Sequence, residues 1–193
     1  MTTIISLNNN LESMFFYACY SDYMNDDPTF FSSASLLPVG TTGTTGTRNK
    51  GIFFNQINSL NNGTRDFIND IAPFPTNFSV QWLGYFKSDY TGTWTFYTRS
   101  VDCSYMWIGN IAVSGFTTTN ALIDNGGQHA VTEVSATTDL VSEKYYPVRI
   151  QYGKSSDATN NCAMRFSFSN PTLAKQSSGT GYFYNINNGV MRP

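Results

Sequence analysis

The side chains best suited to chemistry in this chain are oxygen donors in two separate polar segments. Asp102 and Asn110 flank the string CSYMWIG (103–109). The other oxygen-bearing side chains lie in SSDATNN (155–161), directly after Lys154. Carboxylate and amide oxygens are the ligands that Ca²⁺ prefers, and they also hydrogen-bond to hydroxyl groups. The polar residues at these positions that could contact a ligand are Asp102, Asn110, Lys154, Asp157, Asn160 and Asn161, with Lys154 contributing a cation rather than an oxygen.

Side chains that could carry out catalysis are scarce. His129 is the single histidine and no nucleophile motif accompanies it, so a Ser-His-Asp triad is not indicated. Cys19, Cys103 and Cys162 are widely spaced and do not form the Cys-x-x-Cys pattern of zinc sites. No Gly-x-Gly-x-x-Gly or Walker pattern follows a strand-like segment. We therefore expect a non-enzymatic protein without a cofactor.

The elements that must position these residues are short alternating strands. In FSVQWLGYF (78–86), Phe78, Val80, Trp82 and Phe86 share one face, which predicts a half-buried strand. The strings TWTFYTR (93–99), YYPVRIQY (145–152) and AMRFSFS (163–169) repeat the alternation. DNGGQH (124–129) predicts a turn, with a polar patch as the alternative. Without a long amphipathic helix, the pattern predicts an all-β, antiparallel β-sandwich.

The aromatic residues divide into two groups by position. Those at alternating strand positions are expected to fill the sandwich core: Trp82, Trp94 and Trp107. Those nearer to loops are candidates for stacking on sugars: Tyr90, Phe116, Tyr145 and Tyr182.

Composition predicts one globular domain and excludes several classes of protein. The chain has 193 residues, of which 12% are charged, and a net charge of -2, so it lacks the basic footprint of a nucleic-acid-binding protein. No apolar run is long enough to span a membrane, and MTTIISLNNN does not look like a secretory signal. We expect a single domain over residues 1–172, with its motif core at 78–170, and a C-terminal extension or arm at 173–193.

Four motifs carry a resemblance to a known family: WLGYF (82–86), TGTWTF (91–96), SVDCSYMWIG (100–109) and YYPVRIQYG (145–153). Their order resembles the adhesin domain shared by anthrax protective antigen and the GLEYA, or flocculin, group. This resemblance implies an antiparallel β-sandwich of the protective-antigen/GLEYA adhesin type. With SGFTTTNALIDNGGQH (114–129) included, the string looks closest to domains in structural proteins of marine phages and large algal viruses.

The resemblance also implies a calcium site that this sequence has altered. Glycan-binding members hold Ca²⁺ with two adjacent Asp residues before the Trp strand and an Asn after the YYP strand. Here the pair is Val101-Asp102, and Lys154 stands where the Asn would be, so calcium binding through Asp102 is doubtful. We hypothesise that Lys154 pairs with Asp102 at the place of the metal; the alternative is that Lys154 points into water.

Family resemblance places Cys103 and Cys162 near loops at one end of the sandwich. A bridge between them is one hypothesis, but free thiols in a reducing compartment are the preferred interpretation.

The resemblance leads to a functional hypothesis with alternatives. The main one is a non-enzymatic virion structural protein, a capsid-associated, fibre or baseplate subunit on the particle exterior. Its partners would be other virion proteins, itself and host surface polysaccharide. The alternatives are an extracellular or cell-surface carbohydrate-binding adhesin, calcium-assisted or metal-free, and an accessory module of a carbohydrate-active enzyme.

Overall fold

The computed structural model describes residues 16–33, 77–155 and 163–184. Ten strands lie in these ranges: β1 (Phe16–Ser21), β2 (Phe78–Lys87), β3 (Gly92–Ser100), β4 (Ser104–Ile108), β5 (Ile123–Asn125), β6 (Thr132–Leu140), β7 (Tyr145–Lys154), β8 (Met164–Asn170), β9 (Leu173–Gln176) and β10 (Phe183–Tyr184). The helices are short: α1 (Phe30–Ser33) and two 3₁₀ turns at Asn110–Ala112 and Thr118–Asn120.

The strands form two antiparallel sheets that pack as a β-sandwich, which confirms the predicted fold class. The six-stranded sheet has the order β1-β2-β7-β4-β5, with β10 also paired to β2. The four-stranded sheet has the order β6-β3-β8-β9. β2 and β7 pair along ten residues, from Phe78 opposite Lys154 to Lys87 opposite Tyr145. This pair forms the centre of the larger sheet.

The main core lies between the two sheets and is built from the predicted alternating faces. Its buried members include Phe78, Val80, Trp82, Phe86, Trp94, Phe96, Met106, Ile150, Tyr152, Phe166 and Phe168. Many of the rings meet edge to face, as Phe86 does with Trp94 at a centroid distance of 5.0 Å. Aromatic contacts of this geometry add to the free energy of burying the rings.

The outer face of the six-stranded sheet is covered as well, which alternation alone did not predict. A second cluster of Met24, Phe31, Cys103, Tyr105, Trp107 and Ala112 lies there, under the segments 22–33 and 110–121. Trp107 is therefore buried as expected, but outside the sandwich interior. For the same reason β2 is buried on both faces over most of its length rather than half-buried.

Residues 173–184 add strands to both sheets. β9 pairs with β8, and β10 pairs with β2 through Phe183 opposite Phe86. Phe183 is buried in the core between the sheets. This stretch, which is predicted from the sequence to belong to a C-terminal extension or arm, thus packs on the sandwich. Residues 1–15 and 185–193 lie outside the described residues, so the domain limits stay a prediction.

Candidate functional site

Asp102 and Lys154 come together at one end of the sandwich, which we call the Asp102 end. Asp102 lies in the tight connection between β3 and β4, with a φ of 60° that aspartate tolerates better than most residues. Lys154 is the last residue of β7 and lies opposite Phe78 of β2. It belongs to the inward-facing set of that strand, so its side chain enters the sandwich.

The two side chains form a buried ion pair. Lys154 Nζ lies 3.2 Å from Asp102 Oδ2, and the two residues are only 1% and 3% exposed. The amine also donates to the Ser155 carbonyl oxygen. The hypothesis that Lys154 pairs with Asp102 is confirmed, and the alternative that it points into water is wrong. That the pair occupies the place of a metal stays a prediction.

Further donors complete the coordination of the Asp102 carboxylate. Ser155 donates to Oδ2 from both its backbone N–H and its hydroxyl, each at 3.0 Å. The backbone N–H of His129 donates to Oδ1 at 3.3 Å, and the Asp102 N–H donates to the His129 carbonyl oxygen. A buried carboxylate is tolerated when it is paired and hydrogen-bonded in this way. The loop before β6 is thereby tied to the end of β7.

A network of buried hydroxyl groups supports the same end. Asn125 Nδ2 lies 2.9 Å from the Ser100 hydroxyl and 3.3 Å from the Ser104 hydroxyl. Ser104 in turn donates to Thr98 Oγ1, and Ser100 donates to the Asp102 carbonyl oxygen at 2.8 Å. These contacts were not predicted from the sequence. Polar residues at inward positions of strands were the only available signal.

The N-terminal segment closes this end from the outer side. Asp26, which follows β1, accepts hydrogen bonds from the Tyr105 hydroxyl at 2.8 Å and from the Gly127 N–H at 3.0 Å. Cys103 is a free buried thiol beneath the segment, against the hypothesis of a bridge to Cys162. Burial raises the pKa of the Cys103 thiol to about 12. The thiol is therefore neutral and unreactive at physiological pH.

The described residues at the Asp102 end do not fit Ca²⁺. Both oxygens of the Asp102 carboxylate accept hydrogen bonds, and the Lys154 ammonium group occupies its side towards β7. Val101, at the position of the family's first Asp, supplies no oxygen and is buried. In the ranges that the structure describes, no three His, Cys, Asp or Glu side chains form a group that could hold a metal.

Of the six candidate residues, one lies apart from Asp102 and Lys154, and three are outside the described residues. Asn110 is exposed and follows the opposite end of β4 from Asp102, so the two do not share a site. The loop residues Asp157, Asn160 and Asn161 lie outside the described residues. A ligand-binding role for any of the six candidates stays a prediction.

The loop aromatic residues have different environments. Phe116 packs on Trp107, and its ring carries the Arg149 guanidinium at 3.9 Å, so it belongs to the second cluster. Tyr182 packs against Phe86 and Phe168, while its hydroxyl donates to Asp89 at 2.7 Å. Tyr145 is half-buried on the outer face of the sheet, at the end remote from Asp102.

Comparison with known proteins identifies an adhesin-type fold. A family model described as the GLEYA domain matches residues 78–169. The A domain of epithelial adhesin 6 from Candida glabrata, solved in complex with Galβ1-3GlcNAc, matches with a TM-score of 0.62 and 18% identity, covering 94% of this chain and 91% of that one. The PA14 domain of the MpAFP antifreeze protein matches with a TM-score of 0.58 and 13% identity, covering 95% and 96%.

A third solved structure is longer than this chain. An anti-sigma factor domain-containing protein matches with a TM-score of 0.63 and 18% identity, covering 95% of this chain but only 51% of that one. This chain therefore spans about half of its length. No curated protein matches the chain. At these identities the likenesses show the fold alone, and they agree with the GLEYA and protective-antigen part of the sequence resemblance.

Proposed function

We propose that this GLEYA-like sandwich is a non-enzymatic, adhesin-type recognition domain that binds neutral glycans without calcium. The observation that carries the calcium-free part is the buried Asp102–Lys154 pair. The carboxylate accepts hydrogen bonds from Lys154, Ser155 and His129, so none of its oxygens is directed at an open ligand position.

An entering calcium ion would meet an ammonium group that is already in place. Calcium takes six to eight oxygen ligands, and its open coordination positions are what accept sugar hydroxyls in a metal-assisted lectin. To bind here, the ion would have to displace Lys154 Nζ and leave a second cation buried beside it. The energetic cost of an unpaired buried charge makes that exchange unfavourable.

Two observations support recognition of glycans rather than catalysis. The GLEYA match covers the strands that form the centre of both sheets, and the similar adhesin 6 domain was solved with a disaccharide. Among the described residues Asp102 is the one buried acid, and Lys154 holds it, so these residues do not present the separated pair of buried carboxylic acids that would suit a glycoside hydrolase.

The location that we propose is the outside of a virus particle. The sequence resemblance to structural proteins of marine phages and large algal viruses supports a capsid-associated, fibre or baseplate subunit. There it would contact other virion proteins, further copies of itself and host surface polysaccharide. Display on a cell surface is the alternative. Peptide mass spectrometry of purified particles from the source culture would detect the chain in the first case and not in the second.

No helix within the described ranges has the length and apolarity to cross a membrane.

Glycan binding measured with and without calcium tests the function directly. The purified chain is applied to a broad glycan array in 2 parallel buffers, one with Ca²⁺ and one with a chelator, on the order of 1 mM each. We expect the same neutral glycans to be bound in both. Binding that the chelator abolishes would contradict the calcium-free mechanism. An absence of binding in both buffers would contradict recognition of glycans.

A further inference from the structure

The end of the six-stranded sheet remote from Asp102 carries an aromatic surface on its outer face. Tyr85 of β2 lies opposite Tyr184 of β10 on one side and opposite Pro147 of β7 on the other. Two residues away along the same strands, Tyr145 of β7 lies opposite Lys87 of β2, on the same face of the sheet. We call Tyr85, Tyr145, Pro147 and Tyr184 the tyrosine platform.

Among the described residues, the platform is less covered than the rest of this face. Its four members are half-buried, whereas Tyr105 and Trp107, on the same face, are fully buried in the second cluster. β7 runs ten residues from Tyr145 to Lys154, so the platform lies roughly 30 Å from the Asp102 end. It is therefore separate from the position where the family resemblance places a ligand.

The rings are held in a fixed arrangement. The Tyr145 and Tyr184 rings meet edge to face at a centroid distance of 5.2 Å, and the Tyr184 hydroxyl donates to the Gly181 carbonyl oxygen at 3.2 Å. The β2–β7 ladder continues through the platform with regular pairing. Little conformational entropy would be lost on binding, because the surface is already formed.

The charges beside the platform neutralise each other. Lys87 Nζ lies 2.7 Å from a Glu143 carboxylate oxygen, and this hydrogen bond raises the pKa of Lys87. Burial raises the pKa values of Tyr85 and Tyr145, so their hydroxyls stay neutral at physiological pH. The surface thus offers apolar rings, hydroxyl groups and no net charge, which complements a neutral ligand better than an ionic one.

We propose that the tyrosine platform binds neutral saccharides by stacking sugar rings on its aromatic faces. A pyranose has an apolar C–H face and a rim of hydroxyls, which matches flat rings that carry polar edges. A half-exposed cluster of aromatic residues on a regularly paired sheet is also the kind of surface that marks a binding site. This inference rests on the proposed function and assigns that function to a surface.

The outer face of the other sheet provides a matched control. Tyr97 of β3 is also half-buried, but Lys175 Nζ lies 4.0 Å from its ring centroid and pairs with Glu133 at 2.6 Å. A sugar ring would have to displace that ion pair to stack on Tyr97. Replacement of Tyr97 therefore removes a comparable tyrosine without removing part of the platform.

Titration with neutral oligosaccharides tests the assignment. The probes are cellohexaose, laminarihexaose, mannohexaose and lactose, with polygalacturonate as the charged comparison, all in chelator. We expect the wild type to bind at least one neutral probe. Tyr145→Ala and Tyr184→Ala should each weaken that binding by about tenfold or more, as the loss of one stacking ring should. Tyr97→Ala should leave it unchanged.

A second measurement avoids dependence on the folding of the variants. In wild-type protein with labelled tyrosine rings, the bound probe should shift the ring NMR signals of Tyr85, Tyr145 and Tyr184 but not that of Tyr97. If a neutral probe binds while these signals and the affinities of the platform variants stay unchanged, the platform is wrong and the proposed function survives. If the wild type binds no neutral probe, both are overturned. Tighter binding of polygalacturonate would also overturn the platform's preference for neutral sugars.

Discussion

The two ends of the six-stranded sheet are built from the same pair of strands, β2 and β7, and yet they differ in chemistry. At the Asp102 end, the strands finish with a lysine whose ammonium group is buried against a carboxylate. At the platform end, they finish with half-buried tyrosines and an ion pair in which Glu143 is largely exposed.

Together with the binding role proposed for the platform, this difference would separate stability from recognition within one sandwich. A buried charge pair demands its partners, because removal of either leaves an unpaired charge in a region of low dielectric constant. The Asp102 end is therefore expected to be intolerant of change. Half-exposed aromatic rings can be altered at smaller cost to folding, so the platform end is expected to tolerate substitution better than the Asp102 end.

Breaking the charged pair should produce the largest effect. Lys154→Met leaves the buried Asp102 carboxylate without its cation, and we expect a loss of about 3–5 kcal/mol in the free energy of unfolding. Urea unfolding at neutral pH measures it. The double variant Asp102→Asn/Lys154→Met removes both charges and should recover much of the loss. A loss below about 1 kcal/mol in Lys154→Met would show that the pair behaves like a surface pair.

Removal of the buried amide at the same end should have an intermediate effect. Asn125→Ala leaves the Ser100 and Ser104 hydroxyls without this donor, and we expect a loss of about 1–3 kcal/mol in urea unfolding. Asn110→Ala is the control, since Asn110 is exposed beyond the other end of β4. Equal losses in the two variants would contradict the contrast between the closed and the open ends.

The ion pair beside the platform should matter much less than its buried counterpart. Lys87→Met removes the partner of Glu143, and we expect a change below about 1 kcal/mol that shrinks further at high salt. The same urea series at low and high salt concentrations measures it. A loss as large as that of Lys154→Met would mean that both ends depend on buried charge, which would remove the distinction.

The last effect appears only in alkaline solution and is absent at neutral pH. Burial and the hydrogen bond to Asp89 raise the pKa of Tyr182 to about 12, from an ordinary value of about 10. Because the folded pKa is the higher one, this contribution to stability is full below about pH 10 and is lost as the pH rises towards 12.

Comparison of Tyr182→Phe with the wild type isolates that contribution. The stability of the wild type relative to the variant should fall between about pH 10 and pH 12, because the phenylalanine side chain of the variant has no proton to lose. Urea unfolding at stepped alkaline pH measures the difference. An unchanged difference across that window would contradict a raised pKa for Tyr182.

Much of the fold followed from the sequence because strand alternation is a local property. The inward faces of FSVQWLGYF and YYPVRIQY are the ones that fill the core. The pairing of Asp102 with Lys154 was also accessible, since the resemblance placed both residues at one end. The burial of the outer face was not accessible, because it depends on segments distant in sequence, as Gln151 Nε2 near the Pro28 carbonyl oxygen illustrates.

By itself, the sequence determined an all-β sandwich and its inward-facing residues, because alternation can be read directly from it, and its family resemblance marked Val101-Asp102 as a departure from a calcium site. Only the tertiary structure decided that Ser155 and His129 complete the Asp102 pair, and that Tyr85, Tyr145 and Tyr184 form one surface. These sets are joined by strand register and loop closure between segments far apart in the chain. Such long-range pairings depend on packing of the whole sandwich rather than on any local pattern.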